Sequence, residues 1–513
     1  MLKKKKYLLG LMLALLSFVL LACGNESASS DKDESNSDDP DTTETADDSN
    51  EPFAFTIMAN LHTPEVPTET VLEEIEKLTN TKIEIQWVPD NNYEDRLNTA
   101  FATNTLPEAV FLKNQSTFIQ FRDAIQDGQF WELDPYLDEF ENLKKLKENV
   151  QDNTRVDGKL YTLYQGRPLS RQGIIYRKDW ADNLGLEAPK TVDEFFEMAR
   201  AFTEDDPNET GTDDTFGITD RNDLIYGAFK TVASWFNTPN NWGEVDGELM
   251  PEFMFDEYVQ TMDYFKELHS NGYINQDFPV TSKVDQQEFF KNGTAGIYIG
   301  SMGDVVSLYN DAVTINPDVE LDVHNYVEGP TGEYGIWAIP GYGNLVMFPK
   351  SSVETEEDLK KLLGFFDQMM TPEVMNYAYW GIEGVHYEVI EGRALPVDDA
   401  ALTDREVKPY QAIEVGEPET NGRYEGYFDY EPKAKSEDLF IDNENYLIED
   451  PTVPLYSETF TRDGARLQQI ITDATYQYIL GQIDLDGFNA AVDNWKSQGG
   501  EKIIQEFNES YQN

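Results

Sequence analysis

The residue types in this chain that could do chemistry suit recognition better than catalysis. Four histidines, His62, His269, His324 and His386, are scattered, and the sequence holds a single cysteine, Cys23. No histidine pair has the zinc-hydrolase spacing, no serine sits in a Gly-x-Ser-x-Gly elbow, and no glycine-rich loop ends in a phosphate-binding Lys. Carboxylates are so abundant that a glycosidase-like acid pair could be drawn anywhere, and abundance without geometry identifies nothing. What remains is recognition chemistry: aromatic faces that stack on apolar rings and planar polar groups that meet hydroxyls. Residues 234–243 set Trp235 and Trp242 among Asn, Pro and Gly. Each of these either faces a ligand or plugs a core. Trp337, and Trp380 beside Tyr379 and Glu383, are the next candidates. Trp87, Trp180 and Trp495 read as core.

Polar candidates are fewer. Asn60 and His62 follow the first expected strand, where ligands meet the carboxyl ends of open α/β sheets. Arg167 and Arg171 either fork onto an anionic sugar or pair with the chain's own carboxylates. In residues 206–214, Asp206, Asn208, Thr210 and Asp214 occupy positions 1, 3, 5 and 9 of a calcium-type loop. Thr212 offers a carbonyl at position 7 and Gly211 stands at the turn. Position 12 is Gly217 where a bidentate Glu is wanted, so a structural calcium ion competes with a plain acidic turn. No other cofactor is required.

These residues need elements to position them. Residues 53–59 read as a strand, 68–80 as a helix, 83–87 as an alternating strand, 92–103 as a helix and 109–112 as a buried strand. That order predicts an α/β lobe with a largely parallel sheet. A second set has strands at 173–176 and 295–299, and helices at 258–271 and from Thr191, where Thr191 and Glu194 form a capping box. Further helices fall at 354–370, 464–480, 485–495 and 501–511. Residues 400–454 are aromatic, acidic and weakly periodic, and no element is assigned there.

The N-terminus has four lysines, an apolar run of 15 residues from Tyr7 to Leu21, and then Ala22-Cys23-Gly24. The run is shorter than the roughly 20 residues of a membrane span. The pattern resembles a lipoprotein export signal, with Cys23 acylated, residues 1–22 removed, and 23–52 an acidic, disordered tether. Net charge is −58, becoming −62 once the four lysines of residues 1–22 are lost. Such a surface excludes nucleic-acid binding. The body should be soluble, with only its N-terminus at the membrane.

The residues Tyr176-Arg177-Lys178-Asp179-Trp180, Thr191-Val192-Asp193-Glu194-Phe195, Phe290-Lys291-Asn292-Gly293-Thr294-Ala295-Gly296 and Gly381-Ile382-Glu383-Gly384-Val385-His386-Tyr387 together resemble family 1 extracellular solute-binding proteins. The ending Trp495-Lys496-Ser497-Gln498-Gly499-Gly500 points to the larger Gram-positive lipoprotein branch. The resemblance implies a type II periplasmic-binding-protein-like fold, in which two discontinuous α/β lobes meet at a hinge around an interlobe cleft. The lobes would be 53–170 with 343–395, and 171–342 with 396–513, with crossings near 167–173 and 340–347. It further implies a non-enzymatic monomer that serves the permease and ATPase of an ABC importer with a carbohydrate ligand, outside the cell on a lipid anchor. Alginate-binding relatives carry a similar calcium loop. The alternatives are a surface glycan-processing enzyme and an adhesive lipoprotein.

Overall fold

The computed structural model describes residues 51–512. The expectations on Cys23, residues 1–22 and the tether lie outside them, apart from its last two residues. Two main sheets organise what is described. The first is built from β1 (Phe53–Leu61), β2 (Thr81–Pro89), β3 (Ala109–Leu112) and β4 (Leu163–Gly166). The second comprises β5 (Gln172–Arg177), β6 (Phe216–Thr219), β7 (Ala295–Ser301) and β8 (Leu321–His324). The chain then returns as β9 (Tyr342–Met347), which inserts into the first sheet to give the order β2-β1-β3-β9-β4. The second sheet has the order β8-β5-β7-β6.

β1, β2 and β3 are parallel as expected, but β9 runs antiparallel to both β3 and β4. In the second sheet β6 and β7 are parallel, while β5 opposes β7 and β8. This sheet buries both faces. Ile174 belongs to one core and Ile175 to another, and Ile297 and Tyr298 split the same way. A strand apolar on every residue is what a doubly covered sheet requires.

Local signals place the helices. Thr191 accepts the N–H of Glu194 at 3.2 Å, and Glu194 returns a carboxylate to the N–H of Lys190 at 2.7 Å. This opens the helix Val192–Glu204, whose Phe195, Ala199 and Phe202 are buried. Near the C-terminus, Gly500 lies so close to Trp495 that a Cβ would collide with the indole. Trp180 and Trp495 are buried, and Trp87 is half-buried against the first core.

The weakly periodic stretch is ordered. It holds helices Ala400–Glu406 and Glu431–Asn443, with a 3-10 turn Lys408–Ile413 between them. Val407, Tyr410, Ile413 and Val415 pack into the first core, against their expected place in the second lobe. The backbone shows why: Gly166 donates to Gly416 at 2.7 Å, and Gly416 to Tyr164 at 2.7 Å, which ties this segment to β4. The chain leaves again before Tyr430, which stacks on Tyr309 of the second half at 4.3 Å. There are thus three crossings among the described residues: 166–172, 337–342 and about 423–430. No helix of the described residues is long and apolar enough to cross a membrane.

Candidate functional site

The strand directions define one edge for chemistry. β4 lies antiparallel to β9, as β3 does, so the carboxyl ends of β1, β3 and β4 share an edge of the first sheet. In the second sheet the carboxyl end of β7 lies beside the amino end of β5, with Ser301 opposite Gln172. The short crossing 166–172 therefore joins the ligand-facing edge of one sheet to that of the other.

A cavity of about 630 Å³ opens beside this edge. Its walls come from the helices after β3, the loop after β6, the return crossing 337–342 and the first turns of the C-terminal helix Glu458–Ile479. Five of the fourteen exposed large apolar side chains among the described residues gather here. Ile119, Ile225, Tyr226, Tyr456 and Phe460, at 36–55 % exposure, all line it. Scattered apolar residues need no explanation, but a contiguous set in a concavity marks a binding surface. Trp337 adds a face held in place by its Nε1–H to Thr231 Oγ1 at 3.1 Å, with Tyr226 edge-on at 5.8 Å.

The polar lining is a connected chain. Lys230 Nζ donates to Asn241 Oδ1 and, at 3.1 Å, to Glu252 Oε2. Asn241 Nδ2 donates to Asp450 Oδ2 at 2.7 Å. Burial holds the Asp450 carboxyl above its usual range despite hydrogen bonds from Thr452 and Asn241. Arg122 spans from the first half towards Tyr456, its guanidinium 5.0 Å from the ring centre and 3.0 Å from Asp157. Buried polar atoms without a protein partner also occur on the lining residues: Arg122 Nε, Asn240 Oδ1 and Tyr342 Oη.

The expected site residues divide. Trp242 and Trp337 line the cavity, each nearly buried. Trp235 does not: it is wholly enclosed in the second core, edge-on to Phe195 at 5.2 Å. It sits on the helix Ala228–Trp235, every residue of which is buried. Trp380 lies outside the cavity lining and donates Nε1–H to Tyr424 at 2.9 Å. Glu383 is exposed nearby. The Gly381–Tyr387 motif is a structural knot around buried His386, whose Nδ1 accepts from Ile382 at 2.9 Å and whose Nε2 lies 3.2 Å from Glu406. Asn60 is buried and braces the end of β1 through Asp90 at 2.9 Å and Asn344 at 3.3 Å, while His62 is exposed off the lining. Arg167 is exposed, lies outside the cavity lining, as Arg171 does, and pairs with no carboxylate.

Tyr226, Tyr456 and Phe460 went unrecognised in the sequence. The strand-end rule applied to Asn60 would have reached Tyr226 had β6 been assigned. Phe460 continues the Gly464–Leu467–Ile471 stripe one turn earlier, outside the helix start expected at 464.

In the 206–214 loop the oxygens of Asn208, Thr210, Thr212 and Asp214 converge, while the Asp206 carboxylate is turned to the loop's own backbone. Thr210 Oγ1 lies 3.3 Å from Asn208 Oδ1, 3.5 Å from the Thr212 carbonyl and 3.3 Å from both Asp214 oxygens. Asp206 accepts backbone N–H groups from Thr210 and Gly211, each at 2.9 Å. Hydrogen bonds from Asn208, Thr212 and Thr210 hold Asp214 below its usual carboxyl range. Among the described residues no three His, Cys, Asp or Glu side chains cluster as a metal site. Position 12, Gly217, is buried against Ala199, so any ion would rest on few charges.

Two lobes of α/β structure around an aromatic cavity at their strand ends define a type II periplasmic-binding-protein-like fold. The model of the family described as bacterial extracellular solute-binding protein matches residues 63–375, and the chain belongs to that family. It is 43% identical over 468 residues to the polygalacturonan/rhamnogalacturonan-binding protein YtcQ of Bacillus subtilis, covering 88% of this chain and 90% of that one. Lipoprotein LipO of the same organism is 33% identical, covering 89% and 92%. A solved HMO-binding, ABC-transporter-associated solute-binding protein of Bifidobacterium longum infantis superposes with a TM-score of 0.67 at 18% identity, covering 90% and 98%. An EF-hand mutant of the substrate-binding protein FusA of Streptococcus pneumoniae, in complex with fructo-nystose, does so with 0.57 at 16% identity, covering 90% and 99%.

The two aromatic environments should separate on mutation. Trp235→Ala should destabilise the fold by ~3–5 kcal/mol, as deleting an enclosed indole does. Tyr226→Ala should stay within ~0.5 kcal/mol of the parent, because more than half of its surface is exposed. Urea unfolding followed by far-UV circular dichroism measures both, and equal losses would contradict the separation of core from cavity.

Proposed function

We propose that the protein captures an oligosaccharide containing acidic sugars in this cavity and hands it unchanged to the permease of an ABC importer. The observation that carries the proposal is the gathering of exposed aromatic and apolar faces in one concavity, beside a hydrogen-bonded polar chain. The polygalacturonan/rhamnogalacturonan-binding relative supports the ligand class, and the family supports the transport role. The lobes, 53–170 with 343 to about 423, and 171–342 with the remainder, would close on ligand by bending at the three crossings. The protein acts as a monomer and performs no chemistry on its cargo.

Calorimetric titration with unesterified oligogalacturonides should give a micromolar Kd, about −8 kcal/mol. Tyr226→Ala and Phe460→Ala should each weaken it about tenfold, ~1.4 kcal/mol, through loss of stacking area. Absence of binding to acidic and neutral oligosaccharides alike would sink the carbohydrate role.

Two further assignments belong to the same proposal. The 206–214 loop holds a structural calcium ion through Asp206, Asn208, Thr210, Thr212 and Asp214, a reading supported by the converging oxygens of the last four and by the neighbour described as an EF-hand mutant. Millimolar calcium added to chelator-treated protein should raise the melting temperature by a few degrees, about 1 kcal/mol or more, and Asp206→Ala should abolish the rise. A melting curve indifferent to calcium refutes the assignment. Cys23 carries a lipid anchor at the outer face of the cell membrane, supported by its sequence context and the lipoprotein relative. Cys23→Ser should shed the protein into the medium or leave it unprocessed. A variant that stays membrane-bound at the processed size would refute the anchor.

A further inference from the structure

Arginine in this chain has carboxylates to spare. Acidic side chains outnumber basic ones 97 to 39, and ten of the thirteen arginines form an ion pair. The exceptions are Arg96, Arg167 and Arg171. Arg96 stands exposed on the helix Tyr93–Ala102. Arg167 and Arg171 fall four residues apart on the crossing that links the two sheets.

Each of this pair is fastened to a different sheet. Arg167 donates its N–H to the Gly341 carbonyl at 2.9 Å, at the start of β9 and next to cavity-lining Tyr342. Its guanidinium makes one long hydrogen bond, 3.4 Å, to Gln165 Oε1. On this side Tyr379 is stacked by Arg423 at 3.6 Å, and Arg423 is itself neutralised by Glu414 at 2.6 Å. The Arg171 carbonyl accepts from Met302 at 2.9 Å, just past the end of β7. Its side chain is exposed and makes no hydrogen bond or ion pair with the described residues. Four residues of chain reach at most about 14 Å, so the two Cα atoms stand no further apart than the length of a short oligosaccharide.

An exposed, unpaired guanidinium costs little by itself. The informative fact is placement: carboxylates pair with nearly every arginine except the two at the ligand-facing edges. A native carboxylate there would have to be displaced by an anionic ligand, whereas a free fork offers planar, charge-assisted donors at once.

Building on the acidic-sugar reading above, we propose that Arg167 and Arg171, on the crossing just outside the cavity lining, are a carboxylate-recognising pair at its margin, one fixed to each sheet, and that they select uronate-bearing oligosaccharides over neutral ones. Ligand carboxylates held by both would tie the two lobes together.

The test is calorimetric titration of the intact protein, and of its Arg167→Gln, Arg171→Gln and Arg96→Gln variants, with unesterified tri- to hexagalacturonate and its methyl-esterified counterpart. The parent should prefer the acid at least tenfold. Arg167→Gln and Arg171→Gln should each weaken acid binding roughly tenfold to a hundredfold while leaving the ester nearly unchanged. Arg96→Gln, with the same charge change elsewhere, should behave as the parent. Melting curves of all variants check that the fold is intact. Equal parental affinity for acid and ester overturns the pair, as does an acid preference that survives both variants, or a loss shared by acid and ester. If the parent binds neither form, the ligand class fails and takes this inference with it. Binding of the acid with unchanged variants removes only the arginines.

Discussion

The site depends on one backbone constraint: the two central crossings are paired with each other. Arg167 donates to Gly341, and Ile339 donates to Leu169 at 2.8 Å, so outgoing and returning chain form a short antiparallel ribbon between the sheets. Because β9 is then locked between β3 and β4, the return crossing cannot slide without breaking the first sheet's own ladder. The ribbon therefore fixes Trp337 and Tyr342 in the cavity wall, and side-chain contacts such as Lys147–Glu444 and Arg393–Asp438 are those that bending between the lobes must break. Rigid bodies joined by short extended segments are the arrangement in which hinge motion is cheap.

Electrostatics follow a similar division. The body is strongly acidic, and most of its cations are consumed by local ion pairs that keep the surface solvated. Within the cavity, Glu252, Lys230, Asn241 and Asp450 form a hydrogen-bonded chain in which Lys230 pairs with Glu252 and Asp450 is held by the neutral Asn241. That chain orients the wall without presenting a free positive charge. Free positive charge stands at the crossing, where the sheets' ligand-facing edges meet.

Much of the fold was legible from sequence because its elements are strongly periodic. The run at 109–112, the Thr191 N-cap and the C-terminal helices fall where the pattern puts them, though the Glu194 carboxylate takes the N–H of Lys190 and not that of Thr191. The stretch 400–454 was not legible, since Tyr410, Ile413 and Val415 bury themselves from irregular turns with neither a helical nor a strand period. The aromatic site was half legible. Tryptophan in a loop-like context looks the same whether it faces a cavity, as Trp242 does, or a core, as Trp235 does. Only tertiary packing separates them. Tyr226 escaped because the short β6 before it carries little periodic signal, and Phe460 because the helix begins earlier than its apolar stripe suggests.

The central claim is that the two lobes enclose an acidic oligosaccharide and release it unaltered. Small-angle scattering on the same sample with and without saturating oligogalacturonide, followed by chromatography of the recovered sugar, tests both halves at once. The account predicts a smaller radius of gyration in the presence of sugar, of order 1 Å for a body of this size, and recovery of the oligosaccharide at its original length. An unchanged radius despite bound sugar, or shortened products in the eluate, would contradict it.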